Sequence, residues 1–139
     1  MDVTVRHYNR SKDTPEALSK LNHFPEEVQQ WLSKQYEFPF PEKNLIIAEN
    51  GDGEIVGCLH IFDGGFPFAL LEGFFLKEGY RTLKNALALG HFAQDELRAR
   101  GVPVYLTYAP ERLSKGLARY GLTATTPPSF VLMARRLED

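Results

Sequence analysis

Cysteine is nearly absent from this chain: Cys58 is the only one. A lone thiol forms no internal disulfide, and no cysteine-based zinc site can be built on it. A reducing, cytoplasmic setting is therefore the default expectation. A surplus of one charge is lacking too, since 16 basic residues face 18 acidic ones for a net charge of −2. Nucleic-acid or anionic-membrane binding draws on clustered Lys and Arg, so neither class of partner is expected. No window approaches the roughly 18 apolar residues of a membrane span. The opening Met1-Asp2-Val3-Thr4-Val5 carries no apolar export core, and a soluble, untargeted domain is expected. The four histidines include no His-x-x-x-His pair, and no Gly-x-Ser-x-Gly occurs. A helical metal site and a hydrolase elbow are both excluded, and no metal ligands are assigned.

What is present is ordinary globular material in 139 residues, the length of one domain, with 43% hydrophobic and 24% charged residues. Aromatics reach 12%, too many for a disordered chain. Eleven glycines and nine prolines are spread along the chain and fit many short connections.

The pattern opens with alternation at Val3, Val5 and His7, a short strand. Thr14-Pro15-Glu16 is a helix start, with Thr14 as the cap, and that piece ends near Asn22. Pro25-Glu26-Glu27 opens a second helix, on which Val28, Trp31, Leu32 and Tyr36 form an apolar stripe at helical spacing. Pro39 and Pro41 stop it in an aromatic loop, Phe38-Pro39-Phe40-Pro41. Leu45–Glu49, a tight turn at Asn50-Gly51-Asp52-Gly53, and Glu54–Phe62 make a hairpin. A second aromatic turn, Gly64-Gly65-Phe66-Pro67, leads to a third strand over Phe68–Leu76 and completes an antiparallel meander. The longest helix runs from about Arg81 to Arg100, its inner face traced by Leu83, Ala86, Leu87, Gly90, Ala93, Gln94 and Leu97, with Gly101 ending it. Val102–Tyr108 is the next strand, parallel to the third through a right-handed crossover. A helix from Pro110 stops at Gly121, and strands over Leu122–Thr126 and Ser129–Arg135 close the chain around Pro127-Pro128.

This order of elements resembles the GNAT acyltransferase superfamily over essentially the whole chain. Ile46-Ile47-Ala48-Glu49 through Glu54-Ile55-Val56-Gly57 is similar to the family's hairpin, and Leu71-Glu72-Gly73-Phe74-Phe75-Leu76 to its fourth strand. Arg119-Tyr120-Gly121-Leu122 and Val131-Leu132-Met133 resemble its closing phrases. The resemblance implies an α+β (three-layer α/β) fold over residues 1–139 as a single domain, with a mixed, mostly antiparallel central sheet flanked by helices. It also implies acetyl-CoA as the cofactor, a small-molecule or peptide amine as the acceptor, and N-acetyl transfer as the reaction.

In the family, the turn from the fourth strand into the long helix binds the pyrophosphate of acetyl-CoA, where helix N–H groups converge on an anion. The Arg/Gln-x-x-Gly-x-Gly/Ala motif falls here on Arg81-Thr82-Leu83-Lys84-Asn85-Ala86, and the strand before it contributes Phe74 and Leu76. Arg81 and Ala86 fit the motif, but Lys84 replaces its central glycine. In one reading, the Thr82 hydroxyl and the Lys84 charge take over phosphate binding. In the other, Lys84 adds bulk where backbone should meet phosphate, and the turn is only a helix start.

Acetyl transfer to an amine needs a base for the ammonium and an acid for the leaving thiolate. Glu72, a carboxylate among Leu and Phe, is the candidate base, with a solvent-facing or Arg-paired carboxylate as the alternative. The position of the family's acidic tyrosine is Leu117, and Ala109-Pro110 stands where the family carries an Asn. Tyr108 is the substitute acid by strand position. Tyr105 reads as core, Cys58 as a small core residue, and His60 either as a cleft base or as a hydrogen-bonded strand histidine. The two aromatic loops would wall the acceptor site or anchor a protein partner. The rival class is a non-catalytic GNAT-fold binding or structural protein, such as a phage virion component, that has lost CoA. A regulatory domain holding an acyl ligand without turnover is a third.

Overall fold

The computed structural model describes residues 1–22, 25–63, 68–119, 121–124 and 130–137. Seven strands and four α-helices follow in the order β1 (Thr4–His7), α1 (Pro15–Ser19), α2 (Glu26–Tyr36), β2 (Leu45–Glu49), β3 (Ile55–Phe62), β4 (Phe68–Leu76), α3 (Leu83–Ala99), β5 (Val104–Pro110), α4 (Glu111–Ala118), β6 (Thr123–Ala124) and β7 (Phe130–Arg136). Strand neighbours run β1-β2-β3-β4-β5-β7-β6. The chain divides into two compact units, Met1–His60 with Gly73–Ala93, and Ile61–Glu72 with Gln94–Asp139.

In the first unit β1, β2 and β3 pair antiparallel, with His7 opposite Ile46 and Leu45 opposite His60. Strand alternation sends neighbouring side chains to opposite faces. One face joins Tyr8, Leu45, Ile47, Ile55 and Cys58 to Leu18 and Leu21 beneath α1, with Tyr36, Phe40 and Phe75 packed against them. On the other face His7 meets Phe92 of α3 edge-on at 4.9 Å. Thr14 caps α1 by accepting from the Ala17 N–H, as the sequence predicts. A bidentate pair from Arg6 to Asp13, at 2.7 and 2.8 Å, ties β1 to the start of α1. Burial alone would raise the Asp13 carboxyl, but hydrogen bonds from Arg6 and the Asn9 N–H, with the Arg6 and Lys12 charges, hold it below its ordinary value.

In the second unit Phe68–Leu71 of β4 pairs parallel with Val104–Thr107 of β5, the geometry a crossover helix requires. β5 pairs antiparallel with β7 along its whole length, and β6 pairs with β7. Gln94 of α3, itself buried, donates to the Tyr105 hydroxyl at 3.0 Å, so Tyr105 is a core residue. α3 ends at a left-handed Gly101 (φ +73°), with Val102 N–H reaching back to the Leu97 carbonyl.

Several expectations need correction. The apolar stripe of α2 is split: Tyr36 packs against the core, while Trp31 is 60% exposed and no α2 residue is fully buried. Leu83 is likewise 61% exposed; of the expected α3 face Ala93, Gln94 and Leu97 are buried, and Asn85 and Leu89 are buried with them. Pro110 closes β5 rather than opening α4, because its missing N–H is tolerated at a strand end. The hairpin turn is organised by the Asn50 side chain, which accepts from the Asp52 and Glu54 N–H groups at 3.0 Å each. The aromatic loop after α2 is split: Phe38 is exposed, while Phe40 stacks on Tyr8 at 5.4 Å beneath the Arg10 guanidinium. The second aromatic turn, Gly64–Pro67, and Tyr120 lie outside the described residues.

Candidate functional site

Pairing between β4 and β5 stops at Leu71 opposite Thr107, although β4 continues to Leu76 and β5 to Pro110. The Thr107 hydroxyl closes that last rung by donating to the Leu71 carbonyl at 2.9 Å. Two residues later Gly73 adopts a left-handed conformation (φ +65°), which bends β4 where its pairing ends. Across the bend β4 remains bound to β3 on its other edge, the Lys77 N–H donating to the Val56 carbonyl at 2.7 Å. Alternate residues direct both backbone groups to one edge, so Phe74 and Leu76 face away from β3. Among the described residues no strand pairs with that edge beyond Leu71.

The kink is packed from beneath. A Cβ at Gly73 would overlap the His60 ring, with Nδ1 the nearest atom. His60 stacks on Tyr36 of α2 at 6.1 Å, and the Cys58 thiol donates to the Gly73 carbonyl at 3.5 Å. Burial pushes the His60 imidazole below its ordinary value, so the ring is neutral at neutral pH. It also pushes the Cys58 thiol up to about 12, and the Tyr36 hydroxyl, with help from Cys58, to about 12. Cys58 is therefore an inert core thiol.

β4 then passes into the turn before α3. Thr82 caps the helix: its hydroxyl accepts from Asn85 N–H at 3.2 Å and its carbonyl from Ala86 N–H at 3.0 Å. Among the described residues no acceptor meets the N–H groups of Leu83 and Lys84. The Arg81 Nε donates to the Leu76 carbonyl at 2.7 Å, and its guanidinium lies 5.6 Å from the Phe75 ring centroid. The Lys84 side chain points to solvent and pairs with Asp2 at 2.9 Å. Asn85, only 1% exposed, donates to the Tyr80 carbonyl at 2.9 Å and the Met1 carbonyl at 2.8 Å.

No family model matches the sequence, and no curated protein matches it. Several solved structures match along nearly their full lengths. A GNAT-family acetyltransferase from Staphylococcus aureus is 16% identical, covers 98% of this chain and 99% of its own, and superposes with a TM-score of 0.68. An acetyltransferase from Streptococcus agalactiae is 16% identical, with 99% of each chain covered and a TM-score of 0.73. The chain has the GNAT fold. The PaiA N-acetyltransferase of Thermoplasma acidophilum, solved with coenzyme A, is 18% identical over 98% of this chain and 99% of its own, at a TM-score of 0.69.

Within this GNAT fold, Phe74, Leu76, Arg81, Thr82, Leu83, Lys84, Asn85 and Ala86 all fall in the first unit, on one continuous stretch from the kink to the first turn of α3. Glu72 and Tyr108 fall in the second unit. Glu72 is half-buried on β4, and Tyr108 lies on β5 opposite Leu132. Sequence reasoning missed Gly73 and its contact with His60, although a glycine inside a strand pattern is a signal for a bulge. It also missed Asn85 as a buried tether. Among the described residues no group of His, Cys, Asp and Glu could hold a metal ion, and no helix is long and apolar enough to cross a membrane.

Proposed function

We propose that residues 1–139 form a single cytoplasmic GNAT-type domain that transfers an acetyl group from acetyl-CoA to a primary amine of a small molecule or peptide. One observation carries this reading: the strand edge freed at the Gly73 kink leads directly into a helix start whose Leu83 and Lys84 N–H groups meet no acceptor among the described residues. A free edge accepts an amide-bearing chain by backbone pairing, and the two amides of a pantetheine arm suit Phe74 and Leu76. An open helix start accepts phosphate, aided by Arg81, the Thr82 cap and the Lys84 charge. The fit of the turn is supported by Lys84, which points outward rather than into it. Acetyl-CoA brings the thioester; in this reading Glu72 takes the proton of the acceptor ammonium, and Tyr108 supplies one to the departing thiolate.

The test is thermal unfolding with and without acetyl-CoA. Saturation near 100 times Kd stabilises a folded protein by roughly 2.7 kcal/mol, which shifts a domain of this size upward by several degrees. No shift at millimolar acetyl-CoA sinks the proposal. The rival reading, a GNAT-fold binding or structural protein, draws on Leu117 and Ala109-Pro110 at positions of proton handling. That reading, in which CoA binding is lost, wins if acetyl-CoA does not bind; binding without thiol release in the presence of any amine from a panel of amino acids, polyamines and peptides favours the regulatory domain that holds an acyl ligand without turnover.

A further inference from the structure

The imidazole of His60 occupies the space that a side chain at residue 73 would fill. The ring stacks on Tyr36 and abuts Gly73, whose carbonyl accepts from the Cys58 thiol on the same face of β3. Gly73 in turn is the bend at which β4 leaves its pairing with β5. We propose that His60 is a positioning residue for acetyl-CoA, holding the left-handed turn at Gly73 so that the edge of Phe74 and Leu76 is presented ready-formed to the pantetheine arm. This rests on the reading of the site as an acetyl-CoA site.

The physical argument is preorganisation. Glycine adopts left-handed and extended conformations with similar ease, so a neighbouring contact is what selects one of them, and ordering a strand edge at the moment of binding costs affinity. A neutral, planar ring resting on two flat neighbours blocks the relaxed conformation without introducing a charge. His60 acts through Gly73, so its loss affects the part of the ligand that uses the strand and spares the part that uses the helix start. That asymmetry separates positioning from general stabilisation.

Calorimetric titration with two probes reads it: acetyl-CoA, which carries the pantetheine arm, and adenosine 3′,5′-bisphosphate, which carries phosphates and no arm. His60→Ala should weaken acetyl-CoA about tenfold and leave the bisphosphate within twofold of the unmodified chain. His60→Asn, whose amide stands near the place of Nδ1, should recover most of the loss. Should His60→Ala not fold, His60→Leu is expected to show the same split. Equal weakening of both probes, unchanged acetyl-CoA affinity, or no recovery with Asn overturns the proposal. If the unmodified chain binds neither probe, the acetyl-CoA reading itself falls and this one with it.

Discussion

β4 from Gly73 to Leu76 and the turn from Tyr80 to Ala86 follow one another in the chain, yet different forces hold them. The kink is set by backbone conformation, a half-buried stack of His60 on Tyr36, and the Cys58 thiol bonded to the Gly73 carbonyl. The turn carries its charges in water: Lys84 and Asp2 pair at 2.9 Å with both side chains more than 70% exposed. Asn85 anchors it from inside. Exposed ion pairs contribute little and are screened by salt, whereas a glycine-only conformation against a packed ring tolerates almost no change. The strand half of the site has the glycine that its left-handed turn requires. The turn half lacks the family's glycine and relies on caps and a tether.

Gly73→Ala strikes that contrast hardest. The new Cβ would adopt a left-handed φ, costing about 1–2 kcal/mol, and would also overlap the His60 ring, bringing the loss to about 3 kcal/mol. Urea unfolding should show that loss, and the acetyl-CoA melting shift should vanish with it. A stability within about 0.5 kcal/mol of the parent chain would mean that the kink is not fixed as described. Cys58 provides a second readout of the same place. With its thiol pushed up to about 12 by burial, the native protein should resist iodoacetamide at pH 8 and react only on unfolding. Gly73→Ala should label faster, because the carbonyl that receives the thiol is displaced. Rapid labelling of the parent chain would contradict the sealed packing.

Much of this was legible beforehand, and the reasons differ by element. The β2–β3 hairpin and the caps of α1 and α3 are local: Thr14 and Gly101 work through neighbours a few residues away, and such signals survive in sequence. The α2 stripe was legible as a shared face, but helical spacing does not say how much of it is covered: Tyr36 packs against the core, while Val28 and Trp31 are exposed. Leu83 continued the α3 period formally, but it stands in the first turn, where the helix emerges into solvent. Glu72 and the motif residues could be placed on their elements from the chain order. The His60–Gly73 contact could not, since it joins two strands through a space that only the fold defines.

Asn85→Ala tests the inner anchor of the turn, with a smaller effect. It removes two hydrogen bonds, to the Met1 and Tyr80 carbonyls, but Tyr80 keeps the Thr82 N–H and Met1 can turn to water. The expected loss is about 1 kcal/mol in urea unfolding, with acetyl-CoA affinity lowered a few-fold. A change as large as that of Gly73→Ala would erase the distinction between the two halves.

Lys84→Gly should change least, and its sign is informative. Lys84 keeps its side chain in water and among the described residues meets only Asp2, so removing it creates no cavity and should leave the unfolding midpoint nearly unaltered. What it alters is the approach of a phosphate to the Leu83 and Lys84 N–H groups: glycine opens the approach, while losing the ammonium forfeits a screened attraction. The two effects are separated by titrating acetyl-CoA at low and high salt beside Lys84→Met, which loses the charge but keeps the bulk. The Met variant should bind a few-fold more weakly at low salt and converge on the parent at high salt. The Gly variant should bind at least as tightly as the parent at high salt, where only backbone access remains. Weaker binding by Lys84→Gly at both salts would show that the side chain orders the turn, and the turn would then resemble the kink more closely than its exposure implies.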